Sequence, residues 1–430
     1  GVVEVWQPPK EGVYYDMGCL PDGERVWTQR GLVPIEKVSL DDALLDDRGR
    51  LSLPINLQRR PYDGELIGLH VAGTPDPVWL TPDHPVLVTA ERLDRRRRRS
   101  YRDRRFVRPT AVEWRRADAV AVGDIVRSPA TFGETLTEHE ILAQFPSQDG
   151  TRIDRRLDPR VLLDAEFWFF VGVWLAEGYT RSFTIAWSLN HTTDADLHSR
   201  LAATCRRLFD RTTTPSHCDR TAMDFSVSSQ TLADFLRWHF GAGAAGKCLP
   251  GWVFRLPESL RLRLFEGYWR GDGCTVVSRG RPLLDCVSVS RGLLEGMQAI
   301  LTSLRVVSSL SRLRQAGTTT FPGCERASKT RETWSLTIHG PQVLRLLAQF
   351  RRPTGEFRQT RTGIGTAWFH GGWMYAKIRR VVRHRYTGNV NNFETRTHAY
   401  SVNRLTVHNC DIAEGRTERA DWTVACVVRR

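Results

Sequence analysis

Two cysteines and an asparagine stand where peptide bonds could be exchanged. Cys19 lies near the start of the chain, and the triplet His408-Asn409-Cys410 lies near its end. The thiolate of cysteine is a nucleophile, and beside a peptide carbonyl it can turn an amide into a thioester. Asparagine is one of the few side chains able to cyclise onto its own backbone carbonyl and cut the chain there. A Cys at one border, an Asn at the other and a second Cys just beyond it form a minimal kit for acyl exchange without water or cofactor. Residues 19 to 409 would then leave as one piece.

Other residues are spaced to assist. Thr81-Pro-Asp-His84 follows Val78-Trp-Leu80 and precedes Pro85-Val-Leu-Val88. A His with a Thr three residues earlier can place donors on one carbonyl, polarise the Gly18–Cys19 peptide and protonate its leaving nitrogen. Trp114 to Asp124 adds a further matching segment. His398 lies ten residues before His408. Taken singly, Thr81 to His84 reads as a turn, His84 as a satisfied structural histidine and the terminal triplet as coincidence. Their order, at both ends of one β-rich region, favours a shared role.

A second chemistry rests on a repeat. Phe170-Val-Gly-Val-Trp-Leu-Ala-Glu-Gly-Tyr-Thr180 aligns with Phe265-Glu-Gly-Tyr-Trp-Arg-Gly-Asp-Gly-Cys-Thr275 at constant offset. Gly172 and Ala176, like Gly267 and Gly271, stand four apart on one helix face, where small residues let two helices approach closely. Each copy then ends in an acid and a glycine, Glu177-Gly178 and Asp272-Gly273. Packing the helices side by side brings both carboxylates to one spot. Such hard oxygen ligands suit Mg²⁺ and in-line phosphodiester hydrolysis. The bland reading is an ordinary helix pair with C-terminal acids.

The elements that must position these groups fall into three blocks. Residues 19 to about 130 read as β-rich, with short apolar runs at Arg25 to Thr28, Leu66 to Ala72 and Pro85 to Val88 between Gly, Pro and Asp turns. From about 131 to 370, helical patterns cover Leu162–Gly178, Asp194–Phe209, Ser229–Phe240, Glu258–Gly271 and Leu293–Leu304, with strands between. From about 373 to 409 strands return, at Met374–Val382, Tyr386–Thr395 and Ala399–Val407. A β domain split by a mixed α/β insertion is the simplest account.

Composition narrows the partners. The net charge is +14, and the excess lies between the two border cysteines. That favours a polyanion, most simply DNA, although an Arg-rich source proteome would give the same sign. Arg95 to Arg99, with Arg102, Arg104, Arg105 and Arg108, form a basic loop that reads either as a solvated insertion or as a DNA-touching flap. The nine cysteines show no zinc spacing and no disulfide framework, so reduced thiols are expected. No apolar run nears the roughly 20 residues of a membrane helix, so no membrane partner is expected. The chain opens on Gly-Val-Val-Glu, which reads as a cytosolic protein and as a fragment of a longer one.

The border residues with Thr81, His84 and His398 resemble the Hint fold of inteins over about 19–130 and 373–409. The resemblance implies a horseshoe-like β domain and four steps. Cys19 attacks the Gly18 carbonyl with help from Thr81 and His84. Cys410 takes the acyl group. Asn409 cyclises with help from His408 and His398. The Gly18–Cys410 thioester rearranges to an amide. One departure is Asn391-Asn392, where that family often has Asp; its loss is expected to slow the middle step or leave its role to other groups.

The repeat resembles the two-motif, single-chain LAGLIDADG homing endonucleases, placed at 131–372. This implies β-saddles in the DNA major groove, an intein-less double-stranded target site, Mg²⁺ held by Glu177 and Asp272, and a monomer with two pseudo-symmetric halves. Lys247 matches that family's lysine ahead of the second motif and would stabilise charge on the scissile phosphate. A splicing element with an inactive, DNA-binding endonuclease is the alternative; a host nuclease with a permanent regulatory insert is a third reading, opposed by Cys19, Asn409 and Cys410 at the borders. The flanks 1–18 and 410–430, joined, resemble the first strand of the RNase H-like nuclease of phage terminase large subunits. Asp411 would be a metal ligand there, with Glu414 and Asp421 as weaker candidates, and the setting would be the cytoplasm of a phage or prophage host.

Overall fold

A computed structural model of the chain describes residues 18–89, 111–145, 157–217, 222–278, 281–319, 328–351 and 366–409. Cys410, Asp411, Glu414, Asp421, the flanks and the basic loop Arg95–Arg108 lie outside the described residues. The chain divides into two compact units, one made of the segments before Gly133 and after Ile364, the other running from Glu134 to Gly363. The boundaries expected at 130/131 and 372/373 therefore fall at 133/134 and 363/364. The reason is the strand Ala367–His370, which pairs with Trp373–Thr395 and so belongs to the first unit.

The first unit is built on a 14-stranded antiparallel arrangement. Its spine is two long strands, Pro54–Val71 and Trp373–Thr395, paired from Ile378 opposite Val71 to Thr395 opposite Pro54. The three late strands expected from sequence are one long strand, which merges the first two, and a hairpin of two short ones in place of the third. Trp373–Thr395 runs unbroken, and Ala399–Val402 then forms a hairpin with Leu405–His408, turning through Asn403 at φ 52°. Asparagine tolerates that left-handed conformation better than a bulky residue.

Three pairings bring distant chemistry together. Leu20 sits opposite Asn391, Val407 opposite Val86, and the Thr81 amide donates to the Cys19 carbonyl at 2.9 Å. Apolar residues of these strands form the core, with Leu20, Leu80, Val86, Tyr400 and Val407 fully buried.

The second unit contains seven helices among the described residues: α1 Glu138–Leu142, α2 Ala165–Glu177, α3 Ala195–Phe209, α4 Gln230–Phe240, α5 Glu258–Asp272, α6 Arg291–Ser303 and α7 Gln342–Gln349. All five helices expected from sequence are present; α1 and α7 are additions, both short. The starts are capped locally. Asp164, Ser229 and Ser290 each accept a backbone N–H of the first turn of α2, α4 and α6.

Two four-stranded sheets follow the same plan. After α2 come Gly178–Arg181, Thr184–Asn190, α3, Thr214–His217, Ala222–Ser228 and α4. After α5 come Gly273–Ser278, Arg281–Ser288, α6, Ser308–Arg314, Thr333–Ile338 and α7. In each sheet the fourth strand lies between the second and the third. The two copies of the sequence repeat thus each open one copy of a duplicated helix–hairpin–helix–hairpin–helix unit.

α2 and α5 cross at their glycines. A Cβ on Gly172 would run into the Leu264 carbonyl, and one on Gly267 into the Phe169 carbonyl. Neither obstacle is a flexible side chain. Gly267→Val is therefore expected to destabilise this unit by about 3 kcal/mol or more, the upper range for overpacking. Urea unfolding followed by helical circular dichroism checks this; a midpoint unchanged from the wild type contradicts the tight crossing.

Candidate functional site

Cys19 is buried, 3% exposed, at the start of the strand pairing Leu20 with Asn391. Its amide N–H donates to Thr81 Oγ1 at 2.8 Å. Thr81 is thus an acceptor on the nitrogen side of the Gly18–Cys19 bond, not a donor to the carbonyl as expected. The cause is the tight turn from Thr81 to His84, closed by the His84 amide on the Thr81 carbonyl at 3.1 Å, together with the Thr81–Cys19 backbone bond. Gly18 packs directly on His84, and any Cβ there would overlap the His84 backbone.

Burial dominates the electrostatics. It pushes the Cys19 thiol up to about 11, while the Arg60 guanidinium beside the sulfur pulls the other way. Burial pushes His84 down to about 4, partly offset by Asp83 and by nearby backbone groups of Cys19 and His408. Neither His84 ring nitrogen attains hydrogen-bond geometry. Near neutral pH this ring is uncharged. Arg60 was not legible in the sequence: it lies on Pro54–Val71, one pair from the Asn391 register, beside a second arginine, Arg59.

The other border is equally ordered. His408 Nδ1 donates to the Asn409 carbonyl at 2.8 Å, and Asn409 Nδ2 donates to the Thr395 carbonyl at 3.0 Å. The Asn409 amide donates to the His398 carbonyl at 3.2 Å. His398, at φ 54°, stacks on His408 with centroids 6.1 Å apart, and Trp114 meets His408 edge-on at 4.9 Å. Asn409 is 3% exposed, with Oδ1 lacking a partner. The carboxamide nitrogen and the carbonyl it would attack are held on one residue, the latter already polarised.

The two adjacent asparagines divide. Asn391 Nδ2 donates to Asp22 Oδ1 at 2.8 Å, tying the first strand down. Asn392 Nδ2 donates to the Gly18 carbonyl oxygen. The carbonyl donor expected from Thr81 and His84 is therefore Asn392, which the sequence had marked only as a departure.

In the second unit the acids converge. Burial, then the neighbouring Asp272 charge, push Glu177 up to about 7. Burial pushes Asp272 up to about 6, with Lys247 and a contact from Tyr268, one turn earlier, opposing. Two carboxyls raised in this way fit a divalent cation, which would offset the repulsion that keeps them from ionising together. No group of three or more His, Cys, Asp or Glu suited to a metal occurs among the described residues. Two carboxylates with water and substrate oxygens completing the shell is a Mg²⁺-type arrangement. Glu177 and Asp272 would hold it, and it would supply charge neutralisation at a phosphate.

Lys247 is held by backbone carbonyls. Its ammonium donates to the carbonyls of Trp174, Leu175 and Gly178 at 2.8, 2.9 and 2.7 Å, which uses all three protons. It is 4% exposed, and burial lowers it to about 8. The lysine caps the C-terminus of α2, where unpaired carbonyls collect, instead of facing a phosphate.

Residues 259–349 match a family described as LAGLIDADG-like domain. This segment holds α5 to α7, the second copy of the duplicated unit, so the chain carries a LAGLIDADG-like α/β domain. Among known proteins, the chain is 23% identical to the uncharacterized protein MJ0043 of Methanocaldococcus jannaschii over 91% of its own length and 50% of that protein. It is 23% identical to the ATP-dependent DNA helicase Hel308 of Thermococcus kodakarensis, over 91% and 36%. It is 24% identical to the iron-sulfur cluster assembly SufBD family protein Rv1461 of Mycobacterium tuberculosis, over 71% and 35%. The chain spans half or less of the length of these relatives. Among solved structures, it is similar to I-DmoI in complex with DNA and Mn at 12% identity, covering 43% of this chain and 96% of that one with a TM-score of 0.29. It is also similar to the N-terminal LAGLIDADG domain of DUF199/WhiA at 13%, covering 51% and 94% with a TM-score of 0.30.

Two pH dependences follow. His84 refuses in the folded state a proton that the unfolded chain accepts near 6.5, so the unfolded state binds more protons between about 4 and 6.5. Stability contributed by this site is complete above that window and falls as pH drops through it, by on the order of 3 kcal/mol in all. His84→Asn is expected to flatten the slope of unfolding free energy against pH by up to about 1.4 kcal/mol per pH unit there; identical slopes overturn the assignment. The acid pair has the opposite sign. Its folded values exceed the unfolded ones, so its contribution falls as pH rises from about 4 to 7. At pH 8, Glu177→Gln should raise the melting temperature in chelator by about 2–4 °C and abolish the rise that Mg²⁺ gives the wild type. Equal Mg²⁺ shifts in both proteins count against the acid pair as the cation site.

Proposed function

We propose that residues 19–409 are a self-splicing element that excises itself and joins Gly18 to Cys410, and that its second unit is a metal-dependent endonuclease acting on double-stranded DNA. The observation that carries the splicing reading is the state of Gly18 and Asn409: both are buried, and each carbonyl accepts a side-chain hydrogen bond, Gly18 from Asn392 and Asn409 from His408. Ordinary chain segments at the edges of a domain are not held in this way.

The steps balance without a co-reactant. The Cys19 sulfur adds to the Gly18 carbonyl carbon, the Gly18–Cys19 C–N bond breaks, and the proton lost by the thiol ends on the freed amine. Thr81 holds that nitrogen and His84 relays the proton. The Cys410 thiol then takes the acyl group and returns the Cys19 thiol. Asn409 Nδ2, oriented by the Thr395 carbonyl, attacks its own carbonyl carbon, which closes a succinimide and releases the Cys410 amine. That amine attacks the thioester and leaves an amide. Holding every reactant on one chain supplies effective molarity in place of diffusion.

The relatives support an insert. Proteins named as a helicase and as an iron-sulfur assembly protein align with 91% and 71% of this chain while it covers about a third of each. One long segment shared by proteins of unrelated names is what a transferable element in different hosts produces. The host segments 1–18 and 410–430 are assigned, on sequence alone, to the nuclease domain of a phage-type terminase large subunit in the cytoplasm of a phage or prophage host. Asp411 is its metal ligand, and host nuclease activity appears only after splicing.

For the endonuclease, the paired acids at the ends of α2 and α5 support Mg²⁺-dependent cleavage of the intein-less host site by a monomer with two pseudo-symmetric halves. The full engagement of Lys247 with three carbonyls favours a second reading, a splicing element whose DNA-binding domain no longer cuts.

The test is mass analysis of the chain expressed with tags on both ends. Loss of residues 19–409 with joined flanks is expected, and a Cys19→Ala, Asn409→Ala double variant should remain intact. A wild-type chain that also remains intact overturns the splicing reading. Incubation of the protein with Mg²⁺ and DNA spanning the uninterrupted insertion site separates the two nuclease readings, with cleavage lost by at least about 100-fold in Asp272→Asn if the first holds.

A further inference from the structure

Asn392 is built into the first unit as a donor of fixed direction. It lies on Trp373–Thr395 and is 1% exposed. Its Oδ1 accepts from the Phe393 amide at 2.7 Å and from the Tyr400 hydroxyl at 2.8 Å. A backbone N–H can only donate, so the oxygen must face Phe393, and the NH₂ group must face the Gly18 carbonyl. Tyr400 is fully buried on the neighbouring hairpin and packs edge-on against Phe393 at 5.0 Å. The amide therefore cannot turn round without facing its NH₂ group against the Phe393 N–H and breaking that bond, at roughly 1–3 kcal/mol.

We propose that Asn392 is the catalytic donor that stabilises the oxyanion formed at Gly18 when Cys19 attacks, and that Tyr400 is its positioning residue. This deepens the splicing reading and rests on it. As the sulfur adds, the Gly18 C=O bond opens and the electron pair moves to oxygen, where the Asn392 N–H already points. When the C–N bond breaks the carbonyl reforms as the thioester, and the hydrogen bond weakens again. An interaction that strengthens only in the transition state raises the rate, and it is worth most where water is excluded. An ionised carboxylate at this position would set lone pairs against the Gly18 oxygen. A carboxamide donates at every pH, so in this chain activation of the carbonyl is independent of pH, and only the thiol and the His84 relay titrate.

The experiment uses the full chain carrying Asn409→Ala and Cys410→Ala, in which thiol-induced cleavage at Gly18–Cys19 reports the first step alone. Asn392→Ala is expected to slow that cleavage about 100-fold, the usual loss for one oxyanion donor. Tyr400→Phe should slow it less, about 3- to 10-fold, because the Phe393 amide still holds Oδ1. Asn392→Asp should show a rate, relative to Asn392 at the same pH, that falls as pH rises and the carboxyl ionises. A purely structural role gives no such ratio change. In a Cys19→Ala background, cleavage after Asn409 reports folding of the site and should persist in all three variants. Wild-type residues at 392 and 400 with no cleavage at either border overturn the splicing reading itself. Cleavage at both borders, with Asn392→Ala unslowed at Gly18, overturns the role of Asn392 alone. If Asn392→Ala loses both cleavages, the pH dependence of the Asn392→Asp ratio decides, and a flat ratio overturns the proposal.

Discussion

The long antiparallel ladder between Pro54–Val71 and Trp373–Thr395 is the constraint on which the first unit depends. It joins residues more than three hundred positions apart, and its register settles what faces the Cys19 border. Asn391 opposite Leu20 carries Asn392 to the Gly18 carbonyl, while Arg60 on the partner strand comes beside the thiol. Side chains alternate along a strand, so a slip of one residue would turn Asn392 away and present its neighbour. The same strand also pairs Trp373 with Pro129, so the points where the chain leaves this unit and returns to it lie side by side. Loop-closure entropy grows only logarithmically with loop length, and ends already adjacent accept a whole inserted unit at little further cost.

Burial acts on the two sites in opposite senses. Around Cys19 it favours the neutral forms, with the thiol raised and the imidazole lowered, while the Arg60 guanidinium opposes the shift of the thiol. A low-dielectric site strengthens hydrogen bonds and suits acyl transfer, where charge appears only transiently. At the ends of α2 and α5 burial holds two carboxyls near the point of ionisation. There a divalent cation would offset the repulsion between the two carboxyls. Lys247 lowers both acids but spends its protons on the α2 carbonyls.

Much of this molecule was legible in its amino-acid order. Helix positions could be read because caps and apolar periodicity are local, which is why Asp194–Phe209 and Ser229–Phe240 agree with α3 and α4 nearly to the residue. The close crossing of α2 and α5 followed from Gly172 and Gly267, since only glycine allows backbones to touch in that way. Cys19, His408 and Asn409 could be singled out by type and place, and the structure puts all three in the first unit. The short helices α1 and α7 escaped, having too few turns to show a period.

What tertiary structure alone decided is the direction of each hydrogen bond. Thr81 accepts from the nitrogen of Cys19 instead of donating to a carbonyl, Asn392 takes that carbonyl, and Lys247 closes a helix end. None of these choices is visible in residue type, since a hydroxyl, a carboxamide and an ammonium each have several partners open to them. The selection comes from long-range strand register and from burial, which leaves every polar group only the partners within its reach. Sequence therefore determined which polar groups are present here, and packing determined which partner each one meets.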